Sequence, residues 1–308
     1  MRQVSPIALI GFGEVGQILA EDLLRAAVGR LAVYDTAFAD RTSGPSQAIR
    51  RSQAGDDISP FSVSVSERLC PARSTEDAVR DAGLVISAVT AANSLEACWS
   101  VCAGLRPGAY VLDLNSVSPG VKRSAAAIID TAGGRYVEAA VMSPIGPKRI
   151  AAPMLLGGPH AAAFAELARP LGFENAQIFS DVIGKASATK MCRSVVVKGI
   201  EALLAESMLA ARRHGVEQEV LASLSDLLPV GDWPRLARYM ISRSLEHGTR
   251  RAEEMREAGR TVGEAGVEPH MCFAISERHR WAADHKAALA EPELGAMLDA
   301  ILQEITAT

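Results

Sequence analysis

No run of apolar residues in this chain reaches the roughly 18 that a membrane-crossing helix needs. Its opening residues also lack the charged, apolar and small-residue succession of a secretory signal. No membrane role is expected. Long basic runs are missing too, and the net charge is −4, so nucleic acid is not an expected partner. Cysteine is sparse and scattered: Cys70, Cys98, Cys102, Cys192 and Cys272, with no CxxC pair. An odd, dispersed set argues against a disulfide framework and suits reduced thiols in a cytoplasm. Cys98 and Cys102 fall one turn apart on an expected helix. Two ligands make a poor metal site, so both read as buried thiols and no metal is expected.

What is present is apolar material for two cores: 308 residues, 48% of them hydrophobic. Up to about residue 180, short apolar runs alternate with helical stretches. Strands are expected at Ile7–Ile10, Leu31–Tyr34, Leu84–Val89 and Tyr110–Leu114, with weaker ones at Arg135–Ala140 and Met154–Leu156, and a helix at Val15–Val28. This alternation indicates a mostly parallel, doubly wound α/β sheet. Residues 36–73 read as an irregular insertion with one strand in the alternation Phe61–Val65. Beyond Gly184 strand signals vanish. One long helix is expected from Ala186 to about Arg213, then helices at 217–228, 234–258, 271–289 and 293–306. The expected division is a Rossmann domain over 1–182 and an all-α domain over 183–308.

Gly11-Phe12-Gly13-Glu14-Val15-Gly16 is GxGxxG. It follows an apolar strand and opens a helix, the context in which this pattern binds a dinucleotide. Gly11 permits a tight turn, Gly13 lets the backbone approach a pyrophosphate, and Gly16 allows close helix–strand packing. Helix N-terminal amides then face the phosphates. Asp35, about 20 residues on, ends the second strand, where a carboxylate binds ribose hydroxyls and repels a 2′-phosphate. The expected cofactor is NAD or NADP, with NAD favoured, although Arg41 lies close behind. Val89 and Thr90 end another strand beside the expected cofactor. Asn115 and Ser116 end the next, placed to meet the nicotinamide or a substrate. Ser118 and Pro119 read as a helix cap and first helical residue.

The order of these motifs resembles the β-hydroxyacid dehydrogenases, relatives of 3-hydroxyisobutyrate and 6-phosphogluconate dehydrogenases. The likeness rests on the glycine motif, Asp113–Pro119, Val137–Val141, Leu155–Gly158 and Gly184–Lys190. Lys190–Ser194, continued by Lys198–Leu203, is similar to a branch whose C-terminal domain was long of unknown function. The resemblance implies a Rossmann domain, a helical second domain, homodimers, a small-molecule substrate, and hydride transfer at an alcohol carbon. It also makes Lys190 the general acid/base. The residues add their own argument. Ser187, Lys190, Ser194 and Glu201 fall near one helix face, and proton abstraction requires an amine that sheds its charge. At ~6 Å and an effective dielectric of ~20, Arg193 adds about 2.8 kcal/mol of repulsion toward that end. Glu201 is a rival partner that would hold the lysine as a plain ion pair.

Two segments depart from the family. Ser194 stands where the family carries Asn. The family's Asp-Ala-Pro-Val-Ser-Gly-Gly is replaced by Glu138-Ala139-Ala140-Val141-Met142-Ser143-Pro144, whose proline removes a donor. Ser116, Ser143 and Ser194 are the expected substrate contacts. By position His247 joins them, with Arg251 one turn further on. Glu277, His279 and His285 read as surface residues, and Trp233 and Trp281 as helix-packing ones. Alternative readings are an imine reductase-type enzyme and a non-catalytic dinucleotide sensor.

Overall fold

The strand Ile7–Ile10 (β1) is buried at all four positions, as a central parallel strand covered on both faces must be. In the computed structural model, which describes residues 6–26, 29–54, 67–227 and 231–307, it lies inside an eight-stranded sheet. The other strands are β2 (Leu31–Tyr34), β3 (Leu69–Pro71), β4 (Leu84–Ser87), β5 (Tyr110–Asp113), β6 (Arg135–Val141), β7 (Met154–Gly157) and β8 (Ala176–Ser180). Their order is β3-β2-β1-β4-β5-β6-β7-β8. All neighbours pair in parallel except β6 and β7. Register aligns Ile10 with both Tyr34 and Ser87, and Ser87 with Asp113. The carboxyl ends of β2, β1, β4 and β5 therefore finish level along one edge, where open α/β sheets bind ligands.

Helix α1 (Glu14–Arg25) buries Gly16, Leu19, Ala20, Leu23 and Leu24, a 3.6-residue stripe on the sheet. The covering layers continue with α2 (Gly44–Ala54), α3 (Thr75–Val79), α4 (Ser94–Cys102), α5 (Pro119–Thr131), α6 (Ile145–Lys148) and α7 (Ala161–Ala168). The Ser118 hydroxyl accepts from the Val121 N–H and Pro119 opens the α5 helix, as the sequence predicts. Cys98 lies buried in α4, where burial pushes its thiol up to about 12.

Two compact units divide the chain, Met1–Lys190 and Met191–Thr308. Helix α8 (Lys185–His214) begins in the first and runs on through the second. The second unit continues with α9 (Glu217–Leu227), α10 (Trp233–Glu264), α11 (His270–Ala283) and α12 (Leu294–Ala307). Its main core joins Met208, Trp233, Ala237, Ile241, Met297 and Leu298, with Trp281 packed against it. No described helix is long and apolar enough to cross a membrane.

The insertion expected to be irregular contains α2 and β3; its predicted strand Phe61–Val65 lies outside the described residues. Strand β8 has no counterpart in the sequence reading, and β4 stops at Ser87 rather than Val89. In the helical unit α10 runs on past residue 258 to Glu264, its Gly259 lying against Phe273 and Cys272. Helix α11 stops at Ala283, and Lys286–Ala290 forms a separate 3₁₀ turn.

Candidate cofactor and catalytic site

The turn between β1 and α1 is dictated by sterics. Gly11 has φ +95°, and a Cβ there would lie 2.3 Å from the Ala88 carbonyl oxygen. A Cβ on Gly16 would lie 2.1 Å from the Gly11 oxygen. Gly13 is the opposite case: a Cβ would meet nothing within 4 Å. The first and third glycines let the backbone fold on itself, and the second faces open space at a helix N-terminus. That space fits a diphosphate, which the α1 amides would hold. Glu14 and Val15 form the first turn of α1, and Phe12 is fully buried below it.

Asp35 lies against this turn. Its carboxylate accepts from the Phe12 N–H (2.6 Å) and from the Ala37 N–H (2.8 Å). The charge at the end of β2 is thereby fixed beside the glycine loop. Val89 and Thr90 follow β4, with Thr90 exposed. Asn115 braces this edge: its side-chain oxygen accepts from the Val89 N–H (2.8 Å), and its amide donates to the hydroxyls of Ser87 (3.0 Å) and Ser94 (3.2 Å). Both amide hydrogens point into the protein, so Asn115 sets the shape of the loop around it.

Beneath that loop is a buried charge network that the sequence reading missed. Asp113 is 0% exposed and Lys122 1%. The ammonium of Lys122 lies 3.0 Å from an Asp113 carboxylate oxygen and donates to the Asp113 carbonyl at 3.0 Å. The Tyr136 hydroxyl donates to the other carboxylate oxygen (2.6 Å), and the Asn115 N–H donates to the first (2.8 Å). Burial and the neighbouring Asp113 hold the Tyr136 phenol well above its ordinary range, so it stays a donor.

Ser116 leads to Lys190. The Lys190 ammonium donates to the Ser116 hydroxyl at 2.6 Å, and both are partly buried. The helix that carries Lys190 is pinned at its start by Glu138 of β6. This fully buried carboxylate accepts from the N–H groups of Gly184 and Ser187, both at 2.6 Å. An anion at a helix N-terminus is favoured by the unpaired amides and the helix dipole. Glu201, the rival partner, pairs instead with Arg251 at 2.6 Å. Arg193 is exposed, so solvent screens most of the repulsion expected from it. Ser143 lies in the connection after β6, its hydroxyl donating to the Pro144 carbonyl at 3.2 Å.

The other two expected substrate contacts belong to the helical unit. Ser194 is buried and its hydroxyl accepts from Lys198 at 3.1 Å. Lys198 in turn pairs with Glu254 at 2.9 Å. His247 sits at a break in α10, with φ −120° and ψ 16°. Burial and then Arg243 hold its imidazole below the ordinary value. Arg251, one turn beyond His247, is turned to Glu201. His279 and His285 are not surface residues. His279 is 0% exposed, with Nε2 3.3 Å from the Lys198 carbonyl, and buried His285 pairs with Glu304 at 2.6 Å. Glu277 is exposed. His279 is buried because α10 and α11 nearly touch: a Cβ on Gly248 would lie 2.3 Å from the His279 carbonyl oxygen. The helix face expected to carry both Ser194 and Glu201 was the one sequence signal of this cluster.

Its titration gives a testable sign. Burial raises Glu201 from 4.5 to about 7, so its contribution to stability is complete below pH 4.5 and is lost as pH climbs to 7. Burial lowers His279 from 6.5 to about 4, so its contribution is complete above pH 6.5 and is lost as pH falls to 4. The two oppose each other between 4.5 and 6.5. Glu201→Gln removes one of them, and its urea midpoint should rise with pH more steeply than the wild type's over that interval. Parallel midpoint curves would refute the assignment.

Residues 6–172, which hold the glycine turn and most of the sheet, match a family model described as the NAD binding domain of 6-phosphogluconate dehydrogenase. Residues 211–282 match a domain of unknown function, DUF1932. A conserved hypothetical protein from Sinorhizobium meliloti 1021, known from its crystal structure, is 33% identical. The match covers 97% of this chain and 99% of that one, with a TM-score of 0.71. The NAD-dependent L-serine dehydrogenase of Pseudomonas aeruginosa is 27% identical over 234 residues, 74% of this chain and 71% of that enzyme. Mouse mitochondrial 3-hydroxyisobutyrate dehydrogenase is 21% identical over 230 residues, 74% of this chain, which spans 63% of that enzyme's length.

Proposed function

We propose, from the premise that this chain belongs to the β-hydroxyacid dehydrogenase family, that it oxidises or reduces a small hydroxy acid with Lys190 as the general acid/base. Membership makes its N-terminal domain a binder of a nicotinamide cofactor. The observation that carries the rest is the 2.6 Å bond from Lys190 to Ser116, at the sheet edge that also carries the glycine turn.

A bound nicotinamide supplies one thing, a carbon that takes or gives hydride. Gly11, Gly13 and Gly16 shape the diphosphate cradle. In this reading Phe12, Glu14 and Val15 complete that cradle, and Val89 and Thr90 border the nicotinamide end on a loop set by Asn115. Lys190 accepts the hydroxyl proton as the alcohol becomes a carbonyl and returns it in the reverse direction. Ser116, bonded to the same amine, holds the substrate oxygen on the line of that transfer. Ser143, Ser194 and His247 are the proposed contacts to the rest of the substrate. In this reading residues 183–308 are the helical substrate-binding and dimerisation domain. The two relatives with named activities act on L-serine and 3-hydroxyisobutyrate, both small hydroxy acids, and this class is the one proposed here.

The direct test is cofactor reduction with these two acids and a wider hydroxy-acid panel, each with NAD and with NADP. Turnover on a hydroxy acid is expected. Tight NADH binding with no turnover across the panel would turn the reading to a sensor, and faster reduction of a cyclic imine than of any carbonyl would turn it to an imine reductase. NAD is the proposed cofactor, because Asp35 holds a negative charge where a 2′-phosphate would lie. Asp35→Asn removes the charge and keeps an acceptor oxygen for one of the two neighbouring N–H groups, Phe12 or Ala37. One partly screened repulsion amounts to about 1–2 kcal/mol. The ratio of kcat/KM with NAD to that with NADP should therefore fall about five- to thirtyfold, and an unchanged ratio excludes Asp35 as the discriminator.

A further inference from the structure

Strands β6 and β7 are joined by a hook, residues 142–153. It is closed at its base where the Met142 N–H donates to the Pro153 carbonyl at 2.8 Å. Ile145 and Ile150 sink into the core beneath it, and the Asn175 side chain donates to the Ala151 carbonyl at 2.7 Å. Arg149, at the bend of this hook, is unusual in two independent ways.

The first is its backbone. At φ 54° and ψ −137° it occupies a region that favours glycine. Among the described residues it is the one non-glycine with positive φ. Such a conformation persists only where its surroundings over-determine it. The second is its guanidinium, which forks across two carboxylates of α1. Nε donates to Asp22 at 2.8 Å and a terminal nitrogen to Glu21 at 2.6 Å. The Ile150 N–H donates to the other oxygen of Asp22 at 3.0 Å. Glu21 is buried, and the Arg149 side chain is 35% exposed. A glycine would meet the backbone demand without any charge. A surface arginine would form ion pairs without the backbone demand. Arginine at this backbone is accounted for only if the fork itself holds the bend.

Helix α1 is the one whose N-terminus forms the glycine turn. The fork therefore ties the hook to the element that receives the cofactor's phosphates. We propose that Arg149 is a positioning residue: its grip on Glu21 and Asp22 sets Ser143–Lys148 in register with the cofactor helix, and so presents Ser143 where it holds the bound substrate. This rests on the reading above, in which Ser143 meets substrate.

The full-length chain carrying Arg149→Met is tested in two ways. Hydrogen exchange at the amides of 145, 146 and 148 should quicken at least about tenfold, with β1 and β4 unchanged. In steady-state assays with L-serine and 3-hydroxyisobutyrate, KM should rise at least about fivefold, while kcat moves less than about twofold and NADH affinity holds. Arg149→Lys should recover part of the loss, since an ammonium satisfies one carboxylate. Arg149→Gly separates the two features, because it frees the backbone yet loses the fork, and it should show the same KM rise as the methionine variant. Should Arg149→Met not fold, Asp22→Asn, which leaves the arginine in place, is read by the same measurements. Wild-type exchange in the hook, or a glycine variant with wild-type KM, overturns the proposal. If the wild type turns over neither of these acids nor any other of the hydroxy-acid panel, the functional reading fails and hydrogen exchange alone decides whether the fork holds the hook.

Discussion

Lys190→Ala should lower turnover at least about 100-fold, the lower end for loss of a general acid/base, while the dissociation constant for NADH stays within about twofold. The loss falls on kcat and kcat/KM together, because the proton moves only in the transition state. It corresponds to at least about 2.7 kcal/mol of barrier. Lys190→Arg refines the result. A guanidinium can keep the bond to Ser116 but cannot shed its proton, so alcohol oxidation should stay as low as in the alanine variant. Recovery of activity with arginine would mean that position 190 supplies charge or packing, with the proton going elsewhere. Undiminished turnover in the alanine variant would remove Lys190 from the chemistry altogether.

The largest expected effect on stability comes from a residue that touches neither cofactor nor substrate in this reading. Lys122→Met leaves the Asp113 carboxylate, 0% exposed, without its counter-charge, although the Tyr136 and Asn115 donors remain. Breaking a buried pair by removing one partner costs about 3–5 kcal/mol, out of a typical total of about 5–15. The denaturant midpoint should drop accordingly. Adding Asp113→Asn removes the stranded charge, so the double variant should be more stable than Lys122→Met alone, a coupling measurable in a double-mutant cycle. Additive losses would show that the pair is not coupled. Because Asp113 also anchors the Asn115 N–H (2.8 Å), the single variant should lose turnover by loosening the loop that presents Ser116.

The parts of this molecule that could be read in advance are those whose local sequence carries the physical reason. Strands β1, β4 and β5 are buried at every position, so each opens with at least three apolar residues in succession. The glycine motif was legible because two of its positions exclude any side chain by backbone contact. Strand β8 was not: Ile178 and Phe179 are 58% and 47% exposed, and an edge strand without a buried face has no alternation to detect. Helix α2 was missed because, among its residues with described burial, Ala48 and Ile49 are the buried apolar ones, too few to mark a stripe. The Asp113–Lys122–Tyr136 network could not be foreseen. Tyr136 reaches Asp113 only once β5 and β6 pair with Val111 opposite Tyr136 and Asp113 opposite Glu138. His279 looked like a surface residue because nothing local to it reveals that Gly248, on another helix, lets the two backbones meet.

Glu138 carries a consequence beyond its own neighbourhood. By gripping the first turn of the lysine-bearing helix (2.6 Å to each of two amides), it makes the spacing between amine and hydroxyl a property of the nucleotide-binding lobe. On the function proposed above, mutational drift in loops and distant helices is then free to change which molecules are admitted, while the distance between that amine and hydroxyl is kept. A lineage built this way can diversify its diet without reinventing its chemistry.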